Sequence, residues 1–516
     1  MHDGGFMTLP NPEHLRRLSS AINIDTLKLS TSTIAYLKAR FRKLKDHDRL
    51  VCILMDEVYS QTMAQFVNGR IYGAENGSFT KTLLSVMVKS ITSKYRDIIV
   101  MTPLVNTNAS IIFKIWDQVF EVVTEIGFDV AVTMTDGVSS NMSFFKKKML
   151  EHPGDTFCLN RYNIESKIFA CYDPSHLFKN FCNNWRNTRN FECPSFDSMA
   201  EDKVFPSISH LEELHVIEKG QPEKMAYKFN EKVLHPQVME KTNVKLADSI
   251  FHESTINALM YHSNHKHGHF KDSAIYARVI RDWFNTVNVK SIDYGKRQRD
   301  DRRNPIRRDT VDEDISYLNK FCEWLESWKV NGTAGLSSQT FEAAIQTCKS
   351  FTSLVHYLFD RYENLNYILL GNISSNILEG RFGWWRKMCG GNYYNSVIQF
   401  LQAEKTIRVR SLVSMGYNIR EIKDAFSESK KDCALQQQEV IKSFLAELES
   451  FELTDDNVLK DGEKSILFYI AGYIAKCLAK EKCSDCNELF TPGKVSIQIF
   501  FDDNDIQGSS PMEAKE

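Results

Sequence analysis

Short apolar runs that end in an acidic residue stand out in the first third of the chain. Leu50 to Met55 leads into Asp56 in RLVCILMDEVYS, and a second run leads into Asp136 in FDVAVTMTDGVSSN. Such runs predict buried strands, and the Gly and Ser residues after Asp136 suit a turn into a helix. The patterns in this part predict strands near 50–55, 97–103, 129–135 and 168–172, and helices near 109–126 and 140–150.

Beyond about residue 173 the apolar positions recur at helical spacing, and no strand pattern returns for a long distance. This change predicts that an α/β core is split by a helical insertion. The predicted regions are 1–48 as a helical entry segment, 49–173 as the N-terminal part of the core, 174–295 as the helical insertion, 296–364 as a charged linker with helices, 365–410 as the C-terminal part of the core, 411–500 as a helical C-terminal region and 501–516 as a disordered tail.

A third acid, Glu379, lies on a predicted helix in SSNILEGRFGWWRKM, beside an apolar stripe. Strand, hairpin, strand, helix, strand with an acid and then a late helical acid is the order of a ribonuclease-H-like core. The predicted fold is therefore an α/β ribonuclease-H-like core interrupted by a large all-helical insertion. Carboxylates that converge from different elements can hold a pair of Mg²⁺ or Mn²⁺ ions. Asp56, Asp136 and Glu379 are thus candidate catalytic and metal-binding residues of a nuclease or DNA transferase.

Each acid also has a simpler explanation. An isolated Asp at a strand end is commonly a turn former or a helix cap, and an acid on a helix is commonly solvated. Asp173 in CYDPSHLFK also ends an apolar strand. It could support the site or cap the helix that begins around His176, and we predict the cap.

Composition limits the function classes. Lys plus Arg total 64 against 66 acids, so the net charge is −2, and any contact with DNA must use local patches. Twelve Cys without regular spacing and without a secretory leader favour a reducing compartment, the cytosol or nucleus. The stretch SILFYIAGYIAKCLAK is too short to span a bilayer, so no membrane association is expected.

Seven sequence blocks in order resemble those of P element transposases and their THAP-domain-containing domesticated relatives, over about residues 8–490. The blocks are ILMDEVYS, TMTDGVSSN, CYDPSHLFKNFCNNW, VKLADSIFHESTINAL, IRDWFNTVN, NILEGRFGWWRKMCGG and FYIAGYIAKCL. The resemblance implies a ribonuclease-H-like domain interrupted by a helical insertion that binds guanine nucleotide. It also implies that Asp56, Asp136 and Glu379 form a metal-holding triad that cleaves DNA strands and joins transposon ends to target DNA. A nuclear location and a homo-oligomer are implied as well.

The resemblance also matches residues to the family's nucleotide contacts. They are Lys228, Asn243, Val244, Phe284, Asn285, Asn288 and Asn376. Asn285 and Asn376 stand where the family has acids, and an amide cannot accept the two guanine hydrogens with charge assistance. We therefore expect GTP binding to be weakened or lost. The alternative for Phe284 is a core position on an amphipathic helix, and for Lys228 a solvated surface charge.

The start of the chain departs from the family. No Cys precedes Cys52, so no THAP zinc module is expected before the first matching block. The main alternative to an active transposase is a domesticated, non-catalytic nuclear factor that binds DNA or protein. A stand-alone metal nuclease is a further alternative.

Three other groups of residues have simple interpretations. Cys483 and Cys486 form a CxxC without a second pair, which favours free thiols over a zinc site. The His-rich sequence YHSNHKHGHF, with His262, His265, His267 and His269, is interpreted as a solvated connector between helices rather than a metal site. The charge run YGKRQRDDRRNPIRRDTVDED could contact DNA phosphates or direct the chain to the nucleus, and a solvated linker is the alternative.

Overall fold

The fold is described by a computed structural model for residues 29, 31–67, 70–75, 77–198, 202–237, 240–330 and 334–417. The strands are β1 Leu50–Tyr59, β2 Gln65–Val67, β3 Arg70–Tyr72, β4 Ala74–Glu75, β5 Ser78–Phe79, β6 Thr82–Ser90, β7 Arg96–Leu104, β8 Asp129–Thr135, β9 Phe157–Asn160, β10 Asn163–Tyr172, β11 Cys193–Pro194, β12 Lys203–Val204, β13 Ile306–Arg307 and β14 Tyr367–Ile368. The predictions for 1–28 and 418–516, including those on Cys483 and Cys486, lie outside the described residues.

The helices cover most of the described residues after β10. They are α1 Thr31–Phe41, α2 Ala109–Ile126, α3 Ser139–Phe144, α4 Pro174–Asn187, α5 Ile208–Lys219, α6 Glu231–Leu234, α7 Val244–Ile250, α8 Glu253–His265, α9 Phe270–Val287, α10 Tyr294–Gln298, α11 Val311–Val330, α12 Ser338–Arg361, α13 Asn376–Met388 and α14 Val397–Ser414. A π-helical turn, Phe145–Met149, continues α3. Within the described ranges, no helix is long and apolar enough to cross a membrane.

Six strands form the central sheet in the order β7-β6-β1-β8-β10-β9. The strands β7, β6 and β1 form an antiparallel meander, β8 and β10 add in parallel to β1, and β9 pairs antiparallel at the far edge. β1 and β8 are inner strands, which explains why their sequences are continuously apolar instead of alternating. The predicted α/β core is confirmed, and its strand order is that of a ribonuclease-H-like sheet.

Helices cover the sheet. In α2, apolar residues at helical spacing are buried, and the indole N–H of Trp116 donates to Thr133 Oγ1 of β8 at 2.9 Å. On β10 lies α12, whose Ser350 hydroxyl donates to the Ala170 carbonyl. The predicted 296–364 segment therefore includes a helix of the core, because the buried face of α12 continues the layer over β10.

Two details of the sequence prediction are wrong. Asp56 does not end its strand, because the antiparallel ladder with β6 continues to the pair Tyr59–Thr82. The long helical part contains two short ladders, β11 with β12 and β13 with β14, where no strand was expected. Within the charge run, Arg308 donates to the backbone carbonyls of Phe359 and Leu365, so this part of the run packs against the end of α12.

Candidate active site

Asp56 and Asp136 lie at the same level of the sheet, just beyond the end of the parallel ladder between β1 and β8. The parallel ladder of β1 with β8 ends at the pair Leu54–Met134, and each acid follows that pair by two residues. Because side chains two residues apart share a face of the sheet, the two carboxyls extend from adjacent strands toward the same region. The sequence predicted this pairing from two separate apolar runs.

Asp136 starts the turn into α3. Its Oδ1 accepts hydrogen bonds from the Val138 amide at 3.2 Å and from Asn141 Nδ2 at 2.5 Å. These bonds orient the carboxyl from its own loop and from the first turn of α3. Asp56 Oδ1 accepts the backbone N–H of Glu57 at 2.8 Å.

Glu379 reaches the same region from α13, a helix that contacts β1. Its Oε1 lies 2.9 Å from His176 Nε2 and 3.9 Å from Lys179 Nζ, two residues one helical turn apart on α4. The Glu379 side chain is 38% exposed, whereas Lys179 is only 10% exposed. Glu379 is therefore accessible to a ligand but is held by two basic side chains in this structure.

The three acids influence one another electrostatically. Burial, together with the negative charges of Asp136 and Glu379, raises the pKa of Asp56 to about 7, although the nearby His176 lowers it. A hydrogen bond from His176 holds the pKa of Glu379 below its ordinary value, against the opposing effect of burial. Ionisation of Asp56 therefore costs free energy in the folded protein, and a nearby cation would reduce that cost.

The pKa of His176 is shifted in the direction that favours the charged form of its side chain. Burial alone would lower its pKa, but the hydrogen bond to Glu379 and the charges of Asp173 and Asp56 raise the pKa to about 9. The imidazole is therefore protonated at neutral pH, when it donates a charge-assisted hydrogen bond to Glu379.

Asp173 caps α4, as the sequence predicted. Its Oδ2 accepts the backbone N–H of His176 at 3.1 Å, and its Oδ1 accepts the Ser374 hydroxyl at 2.9 Å and the Ser375 amide at 3.0 Å. The carboxyl is completely buried. Asp173 therefore joins the start of α4 to the segment that leads into α13, and so fixes His176 relative to Glu379.

Sequence analysis missed three basic residues at this site. His176 and Lys179 contact Glu379, and Lys290 lies within the electrostatic influence of Asp173 and Glu379, although burial lowers its pKa. His176 and Lys179 follow the Asp173 cap in DPSHLFK, so their position on the first turns of α4 could have been inferred. Lys290 follows α9, and the sequence gives no sign of its proximity.

Residues matched to nucleotide contacts have other partners in this structure. Phe284 is 8% exposed and stacks on Phe178 with ring centroids 4.0 Å apart. Asn285 donates to Asp300 Oδ2 at 3.0 Å. Asn376 donates to Ser175 Oγ at 2.7 Å. Phe284 thus occupies the core position given above as its alternative.

The remaining matched residues lie at helix ends or on the surface. Asn243 caps α7 by accepting the Lys245 amide at 3.0 Å, and Val244 is the first residue of that helix. Asn288 follows the last turn of α9, and Lys228 is exposed between α5 and α6. The expectation that GTP binding is weakened or lost stays a prediction.

The sheet order and the interrupting helices define a ribonuclease-H-like protein. Residues 27–148 match the family model described as the TNP-like, RNase H N-terminal domain. The "Transposable element P transposase" of Drosophila melanogaster is 23% identical over 294 residues, which are 55% of this chain and 34% of that protein. The chain thus spans about a third of the length of this curated relative.

A solved structure, the "Drosophila P element transposase strand transfer complex", has the same fold. Its TM-score is 0.64 at 16% identity, and the match covers 78% of this chain and 85% of that one. This match shows that the two chains share a fold, and with the family model and the curated relative it supports the similarity of this chain to P element transposases.

Proposed function

We propose that this chain is the catalytic body of a DNA transposase that cleaves and joins DNA strands through Asp56, Asp136 and Glu379. The observation that carries the proposal is the convergence of these carboxyls from β1, from the end of β8 and from α13. The similarity to P element transposases supports the substrate class, because the solved structure with the same fold is a strand transfer complex.

The donor set fits Mg²⁺ or Mn²⁺. Carboxylate oxygens are the ligands that these ions prefer, and three of them come from separate elements. Burial and the charges of Asp136 and Glu379 raise the pKa of Asp56 to about 7, so a bound cation would stabilise the ionised form of this carboxyl. When bound, the ions would supply electrostatic stabilisation to the attacking and leaving oxygens of a phosphodiester.

The protein's own residues would prepare the site. The Asp173 cap holds α4 so that His176 and Lys179 reach Glu379. The protonated His176 keeps Glu379 ionised, and Lys179 and Lys290 add positive charge that can attract a DNA phosphate. These side chains provide local positive charge for contact with DNA, which the whole chain, with a net charge of −2, does not provide.

The first test is metal-dependent cleavage and strand transfer on supercoiled DNA, with Mg²⁺ or Mn²⁺. We expect activity in the wild type and its loss in Asp136→Asn and Glu379→Gln. Matched controls are Asp360→Asn and Glu363→Gln, which remove the same charges from exposed positions on and just after α12. Equal activity in all variants would overturn the assignment of the triad.

Two further outcomes separate the competing functions. DNA binding without cleavage under any metal condition would favour the domesticated, non-catalytic factor. Cut products without joined products would favour a stand-alone nuclease. A nuclear location and homo-oligomerisation are further parts of the proposal, to be tested by imaging of the tagged chain and by its mass in solution.

A further inference from the structure

Two histidines and a glutamate from separate parts of the helical insertion lie together, far in sequence from the carboxylate site. Glu213 lies on α5, and His267 and His269 lie in the turn between α8 and α9. His267 Nδ1 lies 2.9 Å from Glu213 Oε1, and His269 Nε2 lies 2.9 Å from Glu213 Oε2. One donor atom from each residue lies within 4.8 Å of the other two. The solvated connector expected for this turn is thus attached to another helix.

We propose that Glu213, His267 and His269 form a binding site for a zinc-class transition-metal ion. Two imidazole nitrogens and one carboxylate oxygen are a donor set that Zn²⁺ uses, with three protein ligands and one open position. Mg²⁺ and Ca²⁺ prefer sites made of oxygen alone. The site therefore differs in metal preference from the carboxylates of the proposed active site.

The geometry requires little movement. Bonds of about 2.0–2.1 Å in a tetrahedral arrangement place ligand atoms about 3.4 Å apart. The two nitrogen–oxygen distances here are 2.9 Å, so an entering ion would open each contact by about 0.5 Å. All three side chains are between 26% and 47% exposed, so they have room to adjust.

A third histidine, His210 of α5, lies beside the site. His210 has its ring centroid 4.9 Å from that of His269, and its Nδ1 is hydrogen-bonded to Ser273 Oγ at 2.8 Å. His210 is outside the group of donor atoms that lie within 4.8 Å of one another, so water is the expected fourth ligand. A bound ion would cross-link α5 to the turn between α8 and α9, and so would stabilise the insertion.

The test is zinc content after dialysis of the full chain against buffered Zn²⁺, measured by mass spectrometry of the metal. We expect the wild type to retain one more zinc per chain than Glu213→Gln or the double variant His267→Ala/His269→Ala. Matched controls are Glu212→Gln, at the adjacent position of α5, and His265→Ala, whose Nδ1 contacts the Tyr261 carbonyl. Both controls should retain as much zinc as the wild type, so zinc held elsewhere in the chain cancels from the comparison.

Thermal unfolding gives a second readout that is independent of DNA chemistry. Zn²⁺ should raise the unfolding midpoint of the wild type and of both controls more than that of Glu213→Gln. Equal zinc content in the wild type and the double variant would overturn the proposal. A lower stability of Glu213→Gln without any change in zinc content would also overturn it, because the cluster would then be an ion pair only. Neither result depends on whether the chain cleaves DNA.

Discussion

Replacing Asp56 by Asn should stabilise the metal-free protein at neutral and alkaline pH. The folded protein keeps the Asp56 proton up to about pH 7, whereas the unfolded chain releases it near the ordinary value of 3.8. The contribution of Asp56 to the free energy of unfolding therefore falls as the pH rises from about 4 to 7, and the loss is complete above that range. At about 1.4 kcal/mol per pH unit the difference corresponds to at most about 4 kcal/mol. Water that reaches this half-buried carboxyl reduces the effect, so we expect about 2–4 kcal/mol.

Urea unfolding in EDTA, followed from pH 4 to pH 8, measures this contribution. Asn keeps the size of the side chain and an oxygen that can accept the Glu57 amide. The free energy of unfolding of Asp56→Asn should nearly equal that of the wild type at pH 4 and should exceed it by about 2–4 kcal/mol at pH 8. Asp360→Asn should show no such growth with pH. With Mg²⁺ at pH 8 the wild type should gain stability and Asp56→Asn should not. A variant that is no more stable than the wild type at pH 8 would refute the reasoning.

Substitutions at four other positions test the residues around Glu379 and the residues matched to nucleotide contacts. In the wild type, the Mg²⁺ affinity measured by calorimetry should rise from pH 8 to 10, because the imidazole of His176, with a pKa of about 9, loses its proton and releases Glu379. In His176→Gln the affinity should stay constant over the same range. Asp173→Ala should lower the free energy of unfolding in urea by about 3 kcal/mol, because three buried or partly buried donors lose their acceptor, and Asp173→Asn should cost less. Phe284→Ala should cost about 3–4 kcal/mol with or without nucleotide. Asn376→Asp should raise GTP affinity about tenfold in equilibrium dialysis if a weakened nucleotide site is present.

The sequence was most informative where local pattern and burial agree. Helix α2 spans Ala109–Ile126 as predicted, because its apolar stripe and its Asn108 cap lie within the segment itself. The two strand acids were found because inner strands of a mixed sheet are apolar on both faces, so that an acid after such a run is conspicuous. The end of β1 was not found, because the residues from Asp56 to Tyr59, which include two acids, stay in the strand through their pairing with β6.

Contacts between distant parts of the chain could not be inferred from the sequence. In the sequence, the charge run resembles a linker. In the structure, Arg308 donates to carbonyls more than 50 residues later, and these bonds attach the run to the end of α12. The histidine-rich turn likewise resembles a solvated connector until Glu213 approaches it from α5. In both cases the charged residues have polar partners that only the tertiary fold supplies.

The contact between His176 and Glu379 links the fold to the chemistry that we propose. Glu379 comes from a helix that follows the insertion, whereas His176 lies on the first helix of the insertion, so their 2.9 Å contact joins the start of the insertion to the core at the site. The imidazolium already provides one positive charge to a group of carboxyls that repel one another. An entering divalent ion must therefore replace the histidine at Glu379 or share the carboxylate with it. The positive charge of His176 would then be close to the ion, and we expect DNA phosphate, which is negative, to offset that repulsion. Metal binding should for this reason be tighter in the presence of DNA than in its absence.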